Sequence, residues 1–208
     1  MTVQEAILLR RSARSYEKRD IAPEIIEELL RMAQAAPSGG NSQQHVFGIV
    51  RDSERRTALA RAAGGQMWIA SAPVLIACCA RLDEDWRTLP EDDFGLRVNR
   101  LRFGAGFLQH LLAYPNWQET AAFVDNAVPL IPAEHMVLAA KAHGIEGCIV
   151  GLLDVQAASR ILELPENIRC LYLLPLGYPA EKPGEKTVKS LEELSFYETY
   201  QTEHRGRT

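Results

Sequence analysis

The sequence predicts a mixed fold of helices and strands, α+β or α/β, from three observations. Short continuous apolar runs, each the length of a buried strand, lie at residues 46–50, 73–80 and 169–177. Between them apolar residues return at helical spacing, most clearly at Ile25, Ile26, Leu29, Leu30 and Ala33. The length of 208 residues fits one domain with a sizeable core. The alternation of helices with strands does not by itself separate α+β from α/β. No GxGxxG or Walker sequence points to a classical nucleotide fold.

The elements follow in order. Residues 3–11 read as an apolar-periodic helix (Val3, Ala6, Ile7, Leu9) ending in arginines, whose charge also complements the helix dipole. Pro23 opens a second helix, since proline is tolerated in the first turn, and Pro37 stops it. Val46–Val50 reads as a strand, and Ser53 as the cap of a helix through Ala63. Residues 73–80 form a fully apolar strand. Residues 82–130 are the least regular stretch, with Trp86, Trp117 and a helix near 94–113. Pro132 opens a helix ending at Gly144, a left-handed cap. Cys148–Val150 is strand-like, a helix lies near 154–162, and Arg169–Gly177 is the last strong strand. Beyond Gly177 the chain is rich in proline, glycine and charge and cannot bury much surface alone.

Composition narrows the function. Lys+Arg number 23 against 27 Asp+Glu, a net charge of −4, which argues against a nucleic-acid-binding protein. No apolar run reaches the ~18 residues of a membrane span, and the first residues lack a signal-peptide pattern, so a cytoplasmic location is expected. Cys78, Cys79, Cys148 and Cys170 show no CxxC or zinc spacing and read as reduced core thiols. The histidines show no catalytic or HxxxH grouping, no Ser or Cys sits in a nucleophile motif, and Asp125, Glu134 and Glu146 stand as isolated acids.

Two short motifs carry the chemistry. Arg10-Arg11-Ser12-Ala13-Arg14 puts guanidinium and hydroxyl donors at a helix end, and Arg10 and Arg14, four apart, share one side if the helix continues. Guanidinium forks match phosphate oxygens bidentately; taken alone, the cluster also fits a solvated helix end. Ala36-Pro37-Ser38-Gly39-Gly40-Asn41-Ser42-Gln43 is turn chemistry in which paired glycines let main chain approach a ligand.

Together these motifs, in this order around an apolar helix, resemble the FMN-dependent nitroreductase family. Leu138–Ile145 with Cys148-Ile149-Val150-Gly151, then Leu164-Pro165 and Gly177-Tyr178-Pro179, extend the resemblance over about residues 3–195. It implies an α+β sandwich with a central, mainly antiparallel sheet flanked by helices, in an intertwined homodimer. Residues 1–180 would be the FMN-binding domain, 82–130 a lid and specificity region, and 181–208 a tail on the partner subunit. The resemblance implies that Arg10, Arg11 and Ser12 meet the FMN phosphate and ribityl chain, with Arg14 nearer the pyrimidine ring. Pro37, Ser38, Gly39 and Asn41 would come from the partner subunit. Ile149, Val150 and Gly151 would line one flavin face, with the Gly151 N–H near N5.

The implied activity is electron transfer from NADH or NADPH to nitroaromatics, quinones or similar small acceptors by a ping-pong mechanism. Flavin fragmentation, iodotyrosine dehalogenation and a non-catalytic flavin-binding dimer are the alternatives. Two departures stand out. Gln44 replaces a frequent proline, and Val188 falls where members carry a phosphate-binding arginine, leaving Lys186 or Lys189 to substitute.

Overall fold

Alternation along one strand explains how the sheet divides the core. The computed structural model describes residues 1–82, 85–181 and 184–200. Strand β2 (Val74–Arg81) is buried along all but its last residue. Its even positions, Val74, Ile76 and Cys78, enter one hydrophobic cluster, and its odd positions, Leu75, Ala77 and Cys79, enter another. A strand buried on both faces must be central. Accordingly β1 (His45–Val50) pairs antiparallel on one side and β4 (Ile168–Gly177) on the other. The two-residue β3 (Glu146–Gly147) closes the antiparallel order β1-β2-β4-β3.

Helices cover both faces. Helix α1 (Val3–Leu9) packs on α7 (Leu130–Ala142), which in turn packs on α2 (Pro23–Gln34). Ile26, Leu29 and Ala33 of α2 and Met136, Val137 and Ala140 of α7 fill the first cluster. Helix α3 (Ser53–Ala62), a 3₁₀ segment at Met67–Ser71 and α8 (Val155–Ile161) supply Leu59, Ala60, Ile69 and Ala158 to the second. The expected α+β sandwich is therefore present. All four cysteines are free and buried, and burial raises the Cys78 thiol pKa above its ordinary range.

Several elements depart from the sequence reading. Helix α1 ends at Leu9, because Arg10 turns to an extended backbone (φ −59°, ψ 136°). The cap of α3 is Asp52, whose carboxylate accepts the Arg55 N–H at 2.8 Å, and Ser53 is already helical. The expected helix near 94–113 is broken at Gly104 (φ +85°) into α4 (Phe94–Phe103) and α5 (Ala105–Ala113). With α6 (Trp117–Val124), this makes the region read as irregular largely helical. The strand expected at Cys148–Val150 shrinks to one bridge, Val150 to Leu173, beyond β3. Near the C-terminus α9 (Leu191–Leu194) is exposed, with Leu191 81% and Tyr197 92% accessible. Among the described residues, no helix is long and apolar enough to cross a membrane.

Candidate active site

The arginine motif is extended, and that decides what it can hold. Beyond α1, Ser12 bridges Gly147 in parallel and Tyr16 bridges Pro179 in antiparallel fashion. The Glu17 N–H donates to the Tyr178 carbonyl at 2.8 Å, and the Ala180 N–H donates to the Ser15 carbonyl at 3.0 Å. The Tyr16 hydroxyl donates to the Ala13 carbonyl at 2.8 Å, and burial raises its pKa above the ordinary phenol range. Ala13 and Tyr16 are buried, while Ser12 and Arg14 are exposed. The helix that would align Arg10 with Arg14 ends before the motif, and both residues nonetheless line one pocket, described next.

This lacing carries the tail past the motif. Residues 10–15 and Glu181, Gly184, Glu185 and Lys186 enclose a pocket of about 630 Å³. Its walls contain the cations Arg10, Arg11, Arg14 and Lys186 and the acids Glu181 and Glu185. Arg10 Nε lies 3.5 Å from Glu134 on α7, which engages one edge of its guanidinium. One Arg11 terminal nitrogen donates to the carbonyls of Leu8 and Arg10, both at 2.8 Å, closing the end of α1. The Arg14 guanidinium stands 5.8 Å over the Trp68 ring. Lys186 lines the pocket, whereas Val188 is exposed and does not.

Beneath the motif lies a residue that sequence reasoning took for an isolated acid. Glu146 is 2% exposed, ion-pairs with Lys141 and accepts the Arg11 N–H at 3.2 Å. Its partners lie on α7 and on a segment far away in sequence, so no spacing signals the pairing. Glu134 likewise has a partner, in Arg10.

The remaining expected residues lie on two further segments. Ile149 is half-buried, Val150 buried and Gly151 exposed, just beyond β3 and the Ser12–Gly147 bridge. Gly151 sits against Tyr172, where an added Cβ would come 3.1 Å from the ring, and the Tyr172 hydroxyl donates to Asn126 Oδ1 at 3.0 Å. Pro37, Ser38, Gly39 and Asn41 form a tight turn away from the pocket, with Gly39–Asn41 in a 3₁₀ turn. The Gln43 N–H donates to Ser38 Oγ at 3.0 Å, and Gly40 and Asn41 both have φ of 57°. A Cβ at Gly39 or Gly40 would meet nothing within 4 Å, so the turn has open space above it.

The model of the nitroreductase family matches residues 7–178, most of the chain and both of these segments. The chain belongs to the nitroreductase family. Two relatives sharing 30% identity are a Bacillus subtilis protein named FMN reductase (NAD(P)H) and a Vibrio harveyi protein named NADPH-flavin oxidoreductase. The first alignment covers 91% of this chain and 71% of the relative, the second 88% and 68%. The solved structure of B. megaterium NfrA2 matches with a TM-score of 0.76 at 23% identity, over 99% of this chain and 78% of that one. At that identity the likeness shows the shared nitroreductase fold.

The donor set of this family member suits FMN on chemical grounds. A phosphate monoester carries about −1.5 to −2 charges near neutral pH, and the pocket offers four cations and two serine hydroxyls against two acids.

Proposed function

We propose that this protein is an FMN-dependent oxidoreductase that takes electrons from NADH or NADPH and passes them to an electron-poor small molecule such as a quinone or nitroaromatic. One observation carries this reading: the extended segment and the tail enclose a cationic pocket that includes Arg10, Ser12, Arg14 and Lys186. The names of the two relatives support the cofactor and the nicotinamide donor.

Bound FMN supplies the electron-transfer chemistry, which is why the chain needs no nucleophile or acid–base set of its own. The chain's residues bind, orient and tune. Arg10, Ser12 and Lys186 hold the phosphate, with Arg11 closing the helix end beside it. Arg14, seated over Trp68, places a fixed positive charge beside the pyrimidine edge, where negative charge builds on reduction. Ile149, Val150 and Gly151 line one face and present main chain to the ring. Pro37, Ser38, Gly39 and Asn41 complete the site from a second copy of the chain, which fits a turn with open space above it. The helices within 82–130 act as the lid and select the acceptor.

The test is direct. The purified protein should hold about one FMN per chain and oxidise NADH or NADPH in the presence of a quinone, with parallel double-reciprocal lines. Failure to bind added FMN overturns the reading. Intersecting lines overturn the shared face for donor and acceptor and leave cofactor binding standing.

A further inference from the structure

The buried Glu146 carboxylate lies beneath the arginine motif, and the proposed function gives it no role. It is 2% exposed, on β3, and its two oxygens face different elements. One ion-pairs with Lys141 on α7, and the other accepts the Arg11 N–H at 3.2 Å. A buried charge is tolerated only when paired and hydrogen-bonded, and such a pair adds little net stability over an apolar pair of similar volume. Stability is therefore a weak reason for its presence, and the place where its second oxygen points supplies another.

The Arg11 N–H has left the helix. Helix α1 ends at Leu9, and the last helical donation into it near this point comes from the Arg10 N–H to Ala6. The Arg11 side chain turns back to the Leu8 and Arg10 carbonyls, so it ties down the main chain on the α1 side and makes no bond to the main chain that follows. From Arg11 into Ser12, the position of the segment is set by Glu146 and by the adjacent Ser12–Gly147 bridge. Gly147 holds its own position on the sheet by pairing with Leu176.

We infer that Glu146 is a positioning residue for phosphate recognition: its buried carboxylate, held by Lys141, anchors the Arg11 main chain and so aims Arg10, Ser12 and Arg14 into the pocket. This rests on the proposed FMN function, with Glu146 acting through the segment and touching no ligand. Positioning matters because charged hydrogen bonds weaken steeply when donor and acceptor are misaligned.

Two double variants separate the anchor from the ion pair. Lys141→Met with Glu146→Met removes both charges and the acceptor. Lys141→Met with Glu146→Gln removes both charges and keeps an acceptor for the Arg11 N–H. Each avoids a stranded buried charge, so both should fold, and thermal melting of the ligand-free proteins checks that. FMN and riboflavin, which differ by the phosphate, are titrated against each apoprotein, and amide hydrogen exchange at Arg11 and Ser12 is read without ligand.

The Met/Met protein should lose about tenfold in its preference for FMN over riboflavin, and its Arg11 amide should exchange faster. The Met/Gln protein should keep both near wild type. Equal FMN preference and equal Arg11 exchange in the two variants overturn the inference. A wild-type protein that binds neither flavin overturns the proposed function, and the exchange comparison still decides whether Glu146 anchors the segment.

Discussion

Gly177 shows how tightly the arginine segment is seated. A Cβ there would lie 2.7 Å from Tyr16 Cδ1 and 2.8 Å from Pro73 Cδ. Tyr16 cannot retreat, because its ring is buried and its hydroxyl donates to the Ala13 carbonyl. Gly177→Ala should therefore destabilise the protein by about 1–3 kcal/mol, the usual penalty of overpacking, as read from urea denaturation midpoints. A change below about 0.5 kcal/mol would show that the segment yields easily. The pocket side chains act on the ligand instead. Arg10→Ala should weaken FMN about 10- to 150-fold, the equivalent of a charged hydrogen bond of ~1.5–3 kcal/mol. Arg10→Lys should recover only part, because an ammonium lacks the planar fork. Lys186→Ala should weaken FMN more than riboflavin. An unchanged ratio in that titration removes the tail from the phosphate site.

At the scale of elements, legibility followed the strength of periodicity. Strands β1, β2 and β4 are nearly uninterrupted apolar runs, and α2 carries its buried stripe at Ile26, Leu29 and Ala33, so all four were readable within a residue or two. Long-range pairing hid the rest. Arginine has good helix propensity, yet the chain leaves the helix at Arg10 because Ser12, Tyr16 and Glu17 find partners at Gly147, Pro179 and Tyr178. The arginine motif was legible as a set of donors and illegible as a geometry. Glu146 was missed for the same reason, since Lys141 and Arg11 meet it only in the fold. Residues 82–130 looked the least regular, with one helix near 94–113, because three helices of ten residues or fewer are split at Gly104 and around residue 115. Caps were a closer contest. Ser53 is an acceptable N-cap residue, but Asp52 makes the hydrogen bond to Arg55 at 2.8 Å. Asp52→Ala should cost about 1 kcal/mol in denaturant unfolding, with Ser53→Ala within about 0.5 kcal/mol of wild type. The reverse order would move the cap to Ser53.

At the scale of the molecule, the chain exposes large apolar side chains that a self-contained monomer would cover. Much of the exposed surface is apolar, which monomers seldom present as one patch. On α1, Val3 is 71%, Ile7 55% and Leu8 72% exposed. Along the C-terminal segment Leu191, Leu194, Phe196 and Tyr197 are exposed as well. The proposed homodimer would account for this, and it would bring a second copy's Pro37–Asn41 turn to a pocket that its own chain leaves without it. Sedimentation equilibrium should give a dimer at micromolar protein. Ile7→Glu with Leu8→Glu places two charges in that interface and should yield a monomer that keeps its helical circular dichroism. That monomer should bind FMN much more weakly, because Arg10, Ser12 and Lys186 remain while the partner's turn is gone. A wild-type monomer with full FMN content would remove the second copy from the site. A monomeric variant with wild-type affinity would show that the turn serves another purpose.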